Sequence, residues 1–486
     1  MSGSIQSLWP RVLFAGLMAV SQAACGAGGG TASTPADGIA AKVWLTTGDR
    51  AHLLAQQPDV NFLAQGVERD VIDVDARVRF QEMVGFGASI TDASAWLIRN
   101  KLSDEQRAAL MRDLFSIQDG IGLSFTRLTI GASDFSMHHY SLDDPPAGQA
   151  DPSLAHFSIA PNRADVLPVL RDALAINPQI KVMASPWSAP AWMKTTGSLV
   201  KGRLKADAYG AFADYFVRYL DAYAQEGIPI HSITVQNEPH FEPPDYPGMR
   251  MDSAERARFI GEHLGPRLAT RTHKTKIVEW DHNWDEPSAP LSVLADPVAN
   301  RYIDGVGWHC YVGNVAVQSA VRDAHPDKET YFTECSGGAW KPHFAETFPW
   351  FMRHLVIGTT RHWAKGVLLW NLALDENHGP HLGGCKDCRG VVTIDSKTGA
   401  VTRELDYYAL AHASRFVRPG AFRVFASPGT TDLDSVAFQN ADDRSIVLLV
   451  SNSATAPRRF SVRHGGKAMT YTLPASSAVT FVWPGT

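Results

Sequence analysis

Eight short apolar runs rich in β-branched residues recur at intervals of about 30 to 50 residues, separated by longer helix-period stretches. No other feature constrains the chain as much. The runs cover residues 84–89, 123–130, 180–187, 231–238, 276–282, 306–311, 330–336 and 366–373. Strand then helix, repeated eight times over about 330 residues, is the arithmetic of a (β/α)8 barrel rather than of an open sheet. One intervening segment carries its own start signal, a capping box of Ser103 and Gln106 ahead of Leu110 and Leu114. Another, 206–225, sets Phe212, Phe216, Tyr219 and Tyr223 at helical spacing.

The two ends of the chain read differently. Residues 41–80 hold short alternating segments such as Val71-Ile72-Asp73-Val74, and similar runs return at 435–438, 445–451, 468–473 and 478–483. The pattern predicts a barrel over 81–416 and an antiparallel β-sandwich side domain over 417–486 that recruits the strands of 41–80. Ahead of these, Arg11, the apolar run 12–20 and Ser21-Gln22-Ala23-Ala24-Cys25 have the three-part shape of an export signal over 1–25. A small, polar linker follows over 26–40. The residues before Cys25 resemble a bacterial lipoprotein processing site, so Cys25 is either lipidated or lost by simple cleavage. Either route makes the mature protein periplasmic, outer-membrane-anchored or secreted.

With 45% hydrophobic residues the chain can bury a large core, which excludes disorder for most of it. Its 45 basic and 50 acidic side chains give a net charge of -5, without the basic excess that nucleic acid requires. The chemistry is therefore sought at the C-terminal ends of the barrel strands, where catalytic groups project. Glu238, ending the fourth run, and Glu334, near the end of the seventh, sit across that mouth. Glycosidic bond cleavage with retention needs such a pair, a proton donor and a nucleophile about 5 to 5.5 Å apart.

Four ordered motifs then resemble the signatures of glycoside hydrolase family 30, which includes glucosylceramidases and β-1,6-glucanases. They are Gly85-Phe86-Gly87-Ala88-Ser89-Ile90-Thr91-Asp92-Ala93, Ser185-Pro186-Trp187-Ser188-Ala189-Pro190-Ala191-Trp192-Met193-Lys194, Gln236-Asn237-Glu238-Pro239 and Trp370-Asn371-Leu372-Ala373-Leu374. The resemblance covers roughly residues 70 to 486 and implies a (β/α)8 barrel with a β-rich domain built from both chain ends. It assigns Glu238 as acid/base and Glu334 as nucleophile, with Asp92, Arg127, Trp187, Asn237, His309, Tyr311, Trp370 and the adjoining Asn371 around the sugar. Trp187 and Trp370 would wall a pyranose, and Asp92 and Asn237 would read its hydroxyls. Arg127 and Tyr311 would attend Glu334, while Glu238 starts the cycle protonated. Ala88 and Cys310 depart from the family pattern, Cys310 taking a place that is aromatic in the lysosomal relatives.

The implied activity is a retaining hydrolase of β-glucosides, with glucosylceramide-like lipids or β-1,6-glucans as substrates and no cofactor. Rival readings are β-xylosidase or β-fucosidase specificity on the same mechanism, and an idle carbohydrate-binding protein. The spacing His378-x-x-His381-x-x-x-Cys385-x-x-Cys388 could also ligate zinc, as in a metal-dependent hydrolase. In an exported protein, a Cys385–Cys388 disulfide is the favoured alternative to zinc or free thiols. Cys335, directly after Glu334, is expected to be a buried, unreactive thiol on the other face of its strand. Oligomeric state is not legible.

Overall fold

The structure is a computed structural model that describes residues 39–64 and 66–485. The expected signal peptide, Cys25 and most of the linker lie outside the described residues. Eight parallel strands close into a barrel in chain order: Gly85–Ser89, Phe125–Thr129, Lys181–Ser185, Ser232–Thr234, Lys276–Asn283, Gly305–His309, Glu329–Glu334 and Ala364–Asn371. Between the first two, a Cβ on Gly87 would lie 1.8 Å from the Phe125 carbonyl oxygen. Only glycine permits that approach. Ala88, the departure noted above, is buried without difficulty at 2% exposure.

Surrounding helices follow the sequence signals. Thr91 caps Asp92–Asn100 through the Ser94 amide, and the Ser103–Gln106 capping box opens Asp104–Phe115. In Tyr209–Gln225 the residues Phe212, Phe216, Tyr219 and Tyr223 all face the core, as their spacing predicts. No described helix is long and apolar enough to cross a membrane.

Several barrel strands end before their apolar runs do. The third ends at Ser185 rather than Trp187, the fourth at Thr234 rather than Glu238, and the sixth at His309 rather than Tyr311. At the mouth the chain leaves the ladder to aim side chains inward. Asn237 donates its amide to Pro186 O, Glu238 donates its amide to Asp281 O, and Glu238 takes a left-handed φ of 46°. Asp281 is left-handed as well, at 55°. Such backbone costs of order 1–3 kcal/mol per residue and persists where surrounding contacts enforce it.

The side domain is one nine-stranded sheet drawn from both chain ends. Ala40–Thr46 pairs with Ser477–Trp483, and the long strand Val71–Glu82 pairs with Phe422–Ala426 and Arg458–His464. The last of these pairings is parallel, a departure from the all-antiparallel expectation. Leu63 bridges Ala468, bringing the two ends of the sheet together as a sandwich around Phe62, Phe460, Phe481 and Trp483.

Candidate functional site

Arg127, on the second strand and fully buried, organises the barrel mouth. Its Nη1 donates to Glu334 Oε2 at 2.6 Å, and its Nη2 donates to Asn237 Oδ1 and Asp281 Oδ2, both at 2.7 Å. Nε reaches Ser185 Oγ at 3.2 Å. Burial disfavours the guanidinium, but the charges of Asp281 and Glu334 outweigh that penalty and raise its pKa. The cation therefore draws Ser185, Asp281 and Glu334 of strands three, five and seven, and Asn237 just past strand four, into one network.

Asp281 is the second centre of that network. Its Oδ2 also accepts from Ser185 Oγ at 2.9 Å and Thr234 Oγ1 at 2.6 Å, and its Oδ1 faces His309 Nε2 at 3.0 Å. Burial opposes ionisation, yet Arg127, His309 and Thr234 hold the carboxyl well below its usual range. His309 Nδ1 lies 3.0 Å from Glu238 Oε1, so the ring bridges two carboxylates. Where both carboxyls are ionised, both nitrogens carry hydrogens, which defines an imidazolium. Burial works against that charge, but Glu334, Asp281 and Glu238 prevail and raise the pKa to about 9. The expectation that His309 lines the sugar is corrected here: at 0% exposure with both nitrogens committed, it bridges carboxylates instead.

The two glutamates are held differently. Glu334 receives Arg127 on one oxygen and the Tyr311 hydroxyl, at 2.9 Å, on the other. Burial alone would raise the Glu238 carboxyl, but His282 and His309 beside it keep it well below the carboxylate range. His309 Nδ1 is 3.0 Å from Glu238 Oε1 and 3.9 Å from Glu334 Oε1, so the triangle inequality limits the two oxygens to 6.9 Å at most.

Around the pair, Trp187 and Trp370 stack on each other at 5.0 Å with 21° between their planes, and the Arg127 guanidinium sits over both rings. They form a buried cluster with Phe135 and Cys388, with Tyr246 and Cys385 packed against it. Asn237 contributes Oδ1 to Arg127, and Asn371 accepts from Thr91 Oγ1 at 2.8 Å. The Asn371 Nδ2 is buried with no partner among the described residues, a donor available to a ligand. Asp92 Oδ2 accepts from Ser136 Oγ and Tyr140 OH, and burial lifts its pKa to about 6.

An aspartate that feels the charge of the glutamate pair is Asp134, which follows the second strand and was not among the expected site residues. Burial first, then the charges of Glu334 and Glu238, lift it to about 8, so at neutral pH it is a neutral carboxylic acid able to donate a hydrogen bond. The Cys385–Cys388 loop closes over it. Leu382 donates its amide to Asp134 O, and a Cβ on Gly384, at φ 66°, would come within 2.5 Å of the Asp134 Cβ.

Cys385 and Cys388 are joined as a disulfide, which removes both thiolates from any zinc site. His378 Nδ1 and His381 Nδ1 instead contact the carbonyls of Cys388 and Gly383. The ligand atoms of Glu238, His282 and His309 come within 4.8 Å of one another, and His309 already contacts Glu238 and Asp281 through its two ring nitrogens. The expectation of a free Cys335 is overturned: Cys335 is bonded to Cys310. His309 and Glu334 are register partners on neighbouring parallel strands, so the next residue of each turns to the opposite face and meets its counterpart.

Two family models match this chain. The one described as the glycosyl hydrolase family 30 TIM-barrel domain matches residues 83–417, and that family's beta sandwich domain matches 420–481. The chain is 35% identical to the endo-1,6-beta-D-glucanase of Neurospora crassa, covering 85% of this chain and 88% of that protein. It is 29% identical to the lysosomal acid glucosylceramidase of Mus musculus, over 83% and 82% of the two chains. The solved structure of an endo-beta1,6-glucanase superposes with a TM-score of 0.85 at 31% identity, covering 92% of this chain and all of the other.

Proposed function

Because the chain belongs to glycosyl hydrolase family 30 and is a glycoside hydrolase, we propose that it cleaves β-1,6-linked glucans with retention of configuration. Glu334 acts as nucleophile and Glu238 as acid/base. The observation that supports the mechanism is the position of His309 Nδ1, 3.0 Å from Glu238 Oε1 and 3.9 Å from Glu334 Oε1. The resulting limit of 6.9 Å admits the retaining spacing of about 5–5.5 Å and leaves only the lower edge of the inverting range, about 6.5–9.5 Å. Little room is left for a water between carboxylate and sugar.

In this reading Glu334, aligned by Arg127 and Tyr311, attacks the anomeric carbon as the glycosidic oxygen departs. The proton for that oxygen is held in the Glu238–His309 pair, and the tautomer with the proton on Glu238 is the general acid. Esterification of Glu334 removes a negative charge that supports the His309 cation, and Glu238 then accepts a proton from the incoming water. Asp134, Asn237, Asn371 and the Trp187–Trp370 stack bind the sugar.

The substrate assignment rests on higher identity to the fungal endo-1,6-β-glucanases, 35%, than to the glucosylceramidases, 29%. Export is supported by the character of residues 1–25 and by two disulfides, which persist in oxidising compartments. Digestion of linear β-1,6-glucan, followed by proton NMR, tests the proposal. The expected first products are β-anomeric oligosaccharides; α-anomers would overturn retention, and turnover of glucosylceramide with an intact glucan would overturn the substrate.

A further inference from the structure

Building on the β-1,6-glucan reading, we propose that Trp340 is the platform on which the leaving-group glucosyl unit of the substrate stacks. A cavity of 390 Å³ lies beside the ends of the sixth and seventh strands. Its wall includes Tyr311, the Cys310–Cys335 pair, Trp340 and Trp350. Tyr311 belongs to both places, because its hydroxyl touches Glu334 at 2.9 Å while the residue is 43% exposed. Tyr311 therefore stands between the cavity and the carboxylate that attacks the sugar.

Trp340 and Trp350 are 47% and 41% exposed, two large apolar side chains left in water at the edge of the site. Trp340 is nonetheless held in place. A Cβ on Gly338 would fall 1.8 Å from its six-membered ring, so the indole lies directly against a backbone that only glycine can provide. That backbone is anchored in turn, since Gly337 and Gly338 pair with Arg389 and Cys388 of the disulfide loop. A ring supported by backbone and open to solvent is the form in which aromatics bind the apolar face of a pyranose.

The neighbours decide the ligand class. Lys341 and Glu346 share the same wall and offer a donor and an acceptor to hydroxyl groups. Acyl and sphingoid chains would need a continuous apolar surface instead. A β-1,6 link also adds a rotatable exocyclic carbon, which lets the leaving sugar turn sideways onto Trp340 while the bound sugar stays above Glu334.

The test compares the full-length protein with its Trp340→Ala and Trp340→Phe variants on two substrates, a β-1,6-linked glucotriose and β-glucosyl fluoride. The fluoride leaving group occupies no sugar subsite. For Trp340→Ala the ratio of kcat/KM on the trisaccharide to that on the fluoride is expected to fall roughly tenfold, and Trp340→Phe to restore most of it. An unchanged ratio overturns the platform even where the wild type digests β-1,6-glucan. A wild type that turns over the fluoride but not the trisaccharide overturns the substrate reading itself, whatever Trp340 does.

Discussion

Replacing Asp134 by Asn tests the electrostatics of the site through stability. The carboxyl moves from 3.8 in water to about 8 in the fold, because burial and the charges of Glu334 and Glu238 disfavour its anion. Between those values the folded protein keeps a proton that the unfolded chain has lost, so the contribution of Asp134 to stability falls as pH rises from about 4 to about 8. At about 1.36 kcal/mol per unit, a shift of about four units sets a ceiling of about 5 kcal/mol, reached at pH 8 and above. Relaxation and water penetration reduce what reaches the folding equilibrium to about 2–3 kcal/mol. Asparagine mimics the neutral acid and carries no such penalty. Thermal melts from pH 4 to pH 9 should therefore show Asp134→Asn equal to or below the wild type at pH 4 and above it at pH 8, by roughly 2–5 °C for a chain of this length. A difference between the two proteins that does not change with pH would refute the reasoning.

Arg127→Met takes the guanidinium away from the buried carboxylates of Asp281 and Glu334, and chemical denaturation should show a loss of about 3–5 kcal/mol together with activity below about 0.1% of wild type. Reducing the Cys310–Cys335 disulfide, or replacing both residues with Ser, releases a loop with a sequence separation of 25, and should cost about 3.5 kcal/mol and lower kcat more than it raises KM as Tyr311 loosens. His309, raised to about 9, supports the fold fully below its ordinary 6.5, and that support is lost as pH rises through about 9. The rate profile should lose activity over the same upper range, and His309→Asn should move or abolish that limb while leaving the protein folded by circular dichroism.

How far the sequence could be read follows the range of each interaction. The eight strands, the Ser103–Gln106 box and the aromatic face of Tyr209–Gln225 were legible because they obey local periods. Glu238 and Glu334 were legible because strand ends in a barrel point at the mouth. His309 was placed at the site but in the wrong role, since which atoms an imidazole meets depends on Asp281, another strand's residue in a left-handed conformation that no pattern announces. Asp134 is a polar residue past a strand end like several others. What distinguishes it is burial under the Gly384 loop, some 250 residues away in the chain. The Cys310–Cys335 bond follows from the same alternation that turned Cys335 away from Glu334, once the register of strands six and seven is known. Alternation is local and register is not.

The central claim is that Glu334 attacks the sugar. Incubating the protein with a 2-deoxy-2-fluoro β-glucoside bearing a good leaving group slows the second step and lets the covalent intermediate accumulate, and peptide mass spectrometry then locates it. One fluoroglucosyl unit per chain is expected, on the peptide that contains Glu334, with none on Glu238. An adduct on any other residue, or a folded and active protein that never acquires one, would contradict it.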